Sequence, residues 1–309
     1  GNGWAWNDYE SDYMAERSEF PIYGNVVKFY SRNDTLVVMP NRFYNNSVTT
    51  VNKNLQKNSS GFRGKIQRQL GDNLFEASIE SIPKAKFSTQ YIPFKTSFTS
   101  HNSSNYTFIN LIEDTLGKKL GYFVTKDNQN TMRLSSIIHS QPTDSLLKPM
   151  MHNSDNFFAE QTLLMVSNEK LGVMSDEKII DTLLKTDFKG LPQKPKWVDG
   201  SGLSRYNLIT PQDFVWVLTK MKSDFSWQRI TTILATGNEG TLSNYYKNLS
   251  GKIFAKTGTL SNQVALSGYL ITKRNKTLVF SILVNNHQTS ATAIRRDVEK
   301  FLNSVWEKY

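Results

Sequence analysis

The sequence contains no cysteine, which excludes thiol nucleophiles, disulfide staples and thiolate metal sites together. That absence is compatible both with a reducing cytosol and with a disulfide-free secreted protein. Histidine is scarce as well: His101, His139, His152 and His287 are the only four. No two of them fall at the helical or hairpin spacing of a metal-ligand pair, so neither a metal nor another cofactor is expected. No window approaches the roughly 18 consecutive apolar residues of a membrane-crossing helix, and no integral membrane span is expected. There is no long block of one charge and no low-complexity tract, which argues against wholesale disorder. A basic-then-apolar leader is also missing, the chain opens Gly1-Asn2-Gly3, and its first methionine is Met14. The expectation is a processed chain or a piece of a longer one.

What is present is ample core material. The 309 residues are 38% hydrophobic with a mean hydropathy of −0.46, a soluble globular balance. At roughly 150 residues per domain the length suggests two domains. Lys+Arg number 37 against Asp+Glu 27, a formal net charge of +10. Such a charge suits nucleic acid or an anionic envelope surface. The basic residues are scattered, however, and no stripe of them alternates with stacking aromatics, so no nucleic-acid partner is expected. Aromatics make up 12% of the chain, which serves core packing and would also serve carbohydrate contact.

The first half reads as strands joined by turns. Val26–Tyr30, Leu36–Met39 and Leu74–Glu80 are short apolar or alternating runs between Asn, Asp, Ser and Gly clusters. A helix is predicted near Asn105–Leu116, with Phe108, Leu111, Ile112 and Leu116 on one face. After His139 the texture becomes helical. Thr143 precedes a run carrying Leu146, Leu147, Met150 and Met151, with Pro149 set to kink it. A helix over Phe157–Val166 follows Ser154-Asp155-Asn156. Thr210-Pro211 is a helix start, a capping hydroxyl with proline at the first helical position. Ile253–Thr259 reads as a strand, and Val264–Thr272 with Thr277–Val284 as a hairpin. In the last helix Ile294, Val298, Phe301, Leu302 and Val305 form the apolar stripe.

Three segments of the second half carry polar groups suited to chemistry. Ser154-Asp155-Asn156 stands where a loop becomes a helix; read alone it is an ordinary N-terminal cap. Asp199-Gly200-Ser201-Gly202-Leu203-Ser204, read alone, is a flexible turn, and without a Lys-Ser/Thr end it is no phosphate-binding loop. Lys256-Thr257-Gly258-Thr259 lies on a predicted strand. Its lysine, two hydroxyls and a glycine suit the recognition of a carboxylate at a strand edge, and equally an exposed Lys/Thr edge.

Taken together, the order S-x-N then K-T-G resembles the penicillin-recognising serine transpeptidases and β-lactamases. The text between narrows the likeness: Ser154-Asp155-Asn156-Phe157-Phe158-Ala159-Glu160, Asp199–Ser204 with Asn207–Pro211, Gly240-Thr241-Leu242, and Ala255–Leu260. It is similar to the class C low-molecular-mass penicillin-binding proteins, the D-alanyl-D-alanine carboxypeptidase/endopeptidases, over roughly residues 137–309. Gly3–Asp8 and Tyr23-Gly24-Asn25 resemble the stretch where that family enters a large insertion.

The resemblance implies an α/β multi-domain fold. Residues 1–21 would be a lead-in from the catalytic domain and 22–136 a mainly β insertion. Residues 137–309 would be the C-terminal part of a β-lactamase/transpeptidase-like domain, an antiparallel sheet flanked by helices, incomplete at its N-terminal side. It also implies a serine attacking the carbonyl between two D-alanines of a peptidoglycan stem peptide, with β-lactams as mimics. Ser154 and Lys256 would belong to the proton-shuttling network and Asn156 would bond the substrate amide. Thr257, Gly258 and Thr259 would form the carboxylate cradle, with the Thr259 amide as half of an oxyanion hole.

The family's nucleophile lies in an S-x-x-K motif upstream of the insertion. The S-x-x-K strings here, Ser81–Lys84, Ser145–Lys148, Ser167–Lys170 and Ser175–Lys178, are out of place and read as fortuitous. The expectation is a substrate cradle without its nucleophile, on the periplasmic or extracellular face of a bacterial envelope. Self-association through the incomplete domain is the remedy this implies for exposed apolar surface. The alternative function is a catalytically inactive relative that binds wall peptides.

Overall fold

The computed structural model describes residues 1–52, 61–96, 107–121 and 139–309. Backbone contacts divide the chain into two compact units, Ala5–His139 and Gly1–Trp4 with Ser140–Tyr309. Residues 1–21 are thus shared, because Trp4 donates its indole N–H to Asp199 whereas Tyr9 and Glu10 bond to the backbone of Arg68. The sequence boundary expected at residue 136 lies outside the described residues, as does His101.

In the first unit β1 (Val26–Arg32) and β2 (Thr35–Met39) form a hairpin in register Arg32↔Thr35. The two residues between them, Asn33 and Asp34, have φ of 50° and 56°, the left-handed pair that a tight hairpin turn requires and that Asn and Asp tolerate. After α1 (Arg42–Ser47) and β3 (Val48–Asn52), β4 (Phe62–Arg68) and β5 (Phe75–Ser81) form a second hairpin, with β3 parallel to β5. β6 (Gln90–Pro93) pairs with the free side of β1, and α2 (Thr107–Leu116) follows. Phe29, Phe43, Phe75, Phe94 and Leu111 join both sheets in one core. Leu116, expected on the buried face of α2, is exposed: it occupies the last turn, beyond the part that Leu111 anchors. Asn105 and Tyr106 of the predicted helix lie outside the described residues.

The second unit is helices, then a sheet, then a helix. α3 (Asp144–Asn153), α4 (Asn156–Leu171) and α5 (Asp176–Lys185) precede α6 (Pro211–Asp224) and α7 (Trp227–Ile233). Thr210 caps α6 in a reciprocal box with Asp213, proline at the first position. The sheet runs β10 (Thr277–Asn285), β9 (Gln263–Ile271), β8 (Ile253–Leu260), β7 (Ala235–Thr236), antiparallel throughout. α8 (Ala291–Lys308) closes the unit. This is the antiparallel sheet flanked by helices that the sequence led us to expect.

Strand alternation splits β8 between two cores. Ile253 and Ala255 join Leu266, Leu270 and Leu302 in the layer that includes α8. Phe254 joins Leu218, Ile230 and Tyr269 in the layer that includes α6 and α7. Phe301, expected in the buried stripe of α8, is 57% exposed while Leu302 is 2% exposed. A helix lying on one sheet face buries a narrow stripe, and Val298, Leu302, Val305 and Trp306 fill it.

Tyr269 is fully buried, and its hydroxyl donates to the Leu218 carbonyl at 2.6 Å. Burial pushes this phenol up to about 12. Tyr269→Phe should lower stability by about 1 kcal/mol, seen as a lower urea midpoint at unchanged m-value.

Candidate active site

The site gathers at the outer end of β8. The Lys256 ammonium donates to the Ser154 hydroxyl at 2.6 Å and to the Thr257 carbonyl at 2.7 Å. Thr257 donates to the hydroxyl of Thr241 at 2.8 Å, and Arg295 of α8 donates to the Thr259 hydroxyl at 2.6 Å. Register explains this division. Lys256 and Gly258 share the face of Phe254, whereas Thr257 and Thr259 share the face of Ala255, toward α8.

The same register orders the backbone. The Ile271 amide donates to the Lys252 carbonyl, so even-numbered residues of β8 bond to β9 and odd-numbered ones face the other edge. β7 pairs there with Phe254 and Ala255 alone. The amides and carbonyls of Thr257 and Thr259 are therefore presented on an edge that no described strand covers.

Ser154 ends α3 in the left-handed conformation, φ 58° and ψ 49°, which for a residue other than glycine costs about 1 kcal/mol. Asp155 is the helix cap: its carboxylate accepts from the Phe158 amide at 2.9 Å. The capping reading of Ser154-Asp155-Asn156 thus applies to its middle residue. Ser154 is left to Lys256, and Asn156 is the first residue of α4. The end of α3 also lies hard against the turn Gly240–Leu242, where a Cβ on Gly240 would collide with the His152 carbonyl. That close approach holds Thr241 beside Thr257.

Asp199–Ser204 is no flexible turn. The Asp199 carboxylate, 4% exposed, accepts from the amides of Gly202 and Ser204, the Asn207 side chain and the Trp4 indole, at 2.6–2.9 Å. Ser201 donates from amide and hydroxyl to Glu160 of α4. A Cβ on Gly200 would strike the Ala159 carbonyl at 2.6 Å, so glycine allows the turn to sit directly on α4. Beyond it Arg205 donates to the Ser261 carbonyl at 3.1 Å, just past β8. Arg295 and Arg205 were not picked from the sequence, whereas Thr241, Asp199 and Glu160 stood inside quoted motifs without a role being given to them.

Three of the four S-x-x-K strings have hydroxyls or positions committed elsewhere. Ser167 is buried and bonded to Val173 and Ser175, while Lys170 pairs with Asp187. Ser175 caps α5. Ser145 is exposed in the first turn of α3, about 14 Å of helix rise from Ser154. The side chain of Ser81 lies outside the described residues. Among the described residues no cluster of His, Asp and Glu is arranged to hold a metal, and no helix is long and apolar enough to cross a membrane.

A strand edge, a lysine on a serine, and threonines beside an arginine thus stand together at the end of β8. In fold, the chain resembles penicillin binding protein 4 (dacB) from Haemophilus influenzae, with a TM-score of 0.71, 18% identity, and coverage of 99% of this chain and 71% of that one. The same protein complexed with a β-lactam matches with a TM-score of 0.63 and 17% identity, over 91% and 68%. Among curated proteins, D-alanyl-D-alanine carboxypeptidase DacB of H. influenzae is 27% identical over 226 residues, 67% of this chain and 45% of the relative. The D-alanyl-D-alanine carboxypeptidase of Actinomadura sp. is 32% identical over 173 residues, 51% and 31%. These alignments span under half the length of either curated relative. The chain belongs to the D-Ala-D-Ala carboxypeptidase 3 (S13) family, whose model matches residues 1–305.

Two outcomes follow from this geometry. Asp199→Ala orphans four donors, two of them amides of its own turn, and should cost about 3 kcal/mol, read from the denaturation midpoint. Burial brings the Lys256 ammonium down from 10.5 to about 8. The unfolded chain then holds more protons than the folded one between these values, so stability should rise with pH from about 8 to 10.5. Below that window both states are protonated and the contribution is constant. The difference between wild type and Lys256→Met in urea melts across this range should show the slope.

Proposed function

We infer that this chain carries the substrate-binding half of a serine-type D-Ala-D-Ala carboxypeptidase/endopeptidase site that acts on peptidoglycan stem peptides. The bond between Lys256 and Ser154 is the observation that supports it most directly. It joins two segments distant in sequence, and burial brings the lysine down to about 8, so that roughly a tenth of it is neutral amine at pH 7, far more than for an ordinary lysine and of use as a proton acceptor. The extended stem peptide lies along the open edge of β8 as an added strand. Gly258 is exposed and a Cβ there would meet only Ala265, at 3.3 Å, so its smallness serves the approach of a ligand more than the fold.

In the reaction a serine oxygen bonds to the carbonyl carbon of the penultimate D-alanine. The C–N bond to the terminal D-alanine breaks, and that amine leaves with a proton. Water then hydrolyses the acyl-enzyme. Ser154, Asn156 and Lys256 serve the proton transfers and hold the substrate amide. Thr257 and Thr259 take the terminal carboxylate, and the Thr259 amide supplies one oxyanion donor. The attacking serine belongs to an S-x-x-K segment supplied outside this sequence. Such an enzyme works on the outer side of the cytoplasmic membrane, where its substrate lies.

Intact-mass spectrometry after incubation with a β-lactam tests this. The 309-residue chain should show no stable adduct, and the product of the complete gene should gain the mass of one β-lactam. An adduct on Ser145 or Ser81 of the shorter chain would overturn the assignment of the nucleophile. No adduct on either protein would favour an inactive relative that only binds wall peptides.

A further inference from the structure

The two threonines of the cradle are not equivalent. A guanidinium donates and never accepts, so in the bond from Arg295 to Thr259 the threonine oxygen must be the acceptor. The hydroxyl hydrogen of Thr259 is then free to turn to the solvent side, where this residue is exposed. Thr257 instead directs its hydrogen to Thr241 and must give up that bond before it can donate to a carboxylate. Of the two hydroxyls, only that of Thr259 is compelled to offer a proton outward.

Arg295 is also built into place. It is half-buried, lines a narrow pocket with Thr241, Tyr245 and Thr257, and its guanidinium carbon lies 5.9 Å from the Tyr245 ring centroid. Its neighbour Arg296 stacks on the same ring at 4.4 Å and pairs with Glu299 at 2.6 Å. Among the described residues no carboxylate pairs with Arg295, so its charge remains uncompensated behind Thr259. A donor polarised by a cation bonds an anion more strongly than a neutral acceptor.

We propose that Arg295 is a positioning residue that fixes Thr259 as the outward donor and so makes the site select a free C-terminal carboxylate. This rests on the peptide-binding reading above. It goes further in assigning a residue outside the S-x-N and K-T-G motifs and a direction to one hydrogen bond.

The test is an NMR titration of the 309-residue chain with an N-acylated peptide ending in D-Ala-D-Ala, and with the same peptide as its C-terminal amide. Wild type should bind the acid more tightly. Arg295→Met should weaken acid binding about tenfold and leave amide binding within about twofold. Arg295→Lys, which keeps the charge, should restore part of the preference. In a Thr259→Val background Arg295→Met should have no further effect, the non-additivity expected of residues acting through one another. Circular-dichroism melts establish that each variant is folded.

Equal loss for acid and amide, or full additivity with Thr259→Val, would overturn the inference. Unchanged acid binding in Arg295→Met, with wild type still preferring the acid, would overturn it and leave the peptide site standing. Failure of wild type to bind either peptide would remove both.

Discussion

One constraint organises the site: the register of β8 against β9. Because side chains alternate, a single strand serves two helical layers at once. Phe254, Lys256 and Gly258 go to one side, and Ile253, Ala255, Thr257 and Thr259 to the other. The hydrophobic residues at the start of the strand fix the alternation, and the polar residues at its end inherit it. A slip of one residue would exchange the lysine with the threonines and turn the free amides inward. The buried aromatic of Tyr269, the small Ala255 and the stripe of α8 therefore help to specify the chemistry at the polar end of the strand.

Much of this was legible in the sequence, and for identifiable reasons. Thr210-Pro211 announced α6 because a capping hydroxyl and a proline act locally. The hairpin of β9 and β10 showed as two apolar runs about a polar turn. Ser154 and Lys256 were picked as a pair from motif order, and the structure brings them into hydrogen-bonding contact. Locally neutral text hid the rest. α5 and α7 open on serine caps, Ser175 and Ser226, that do not stand out among the chain's many serines, and β3 and β6 are too short to show a period. Asp199 reads as part of a loose glycine turn until its four donors, one of them from Trp4, are seen together. Arg295 lies one turn into a helix whose visible signal is its apolar stripe; nothing in its own neighbourhood marks it. Leu116 and Phe301 erred the other way, because periodicity states which residues share a face and not how far the partner surface extends.

The candidate site is costly at Ser154 and Lys256 and secured around them. Ser154 holds a left-handed backbone, and Lys256 keeps a cation in a partly desolvated place. Around them the fold is over-determined: the Asp199 hub, the Ser201–Glu160 bonds, and the contact of Gly240 with α3. Strain survives only where such surroundings leave no cheaper arrangement.

The short β7 has a consequence for the chain's dealings with its own copies. An unpaired strand edge is a template for any extended segment, including the same edge on a second molecule. Here that edge is bordered by Lys256, with Arg295 and Arg205 bonded near its far end. Two such edges brought side by side would crowd cations of one sign together, whereas a peptide ending in a carboxylate would not. The positive charge that suits the proposed ligand is thus also a guard against polymerisation.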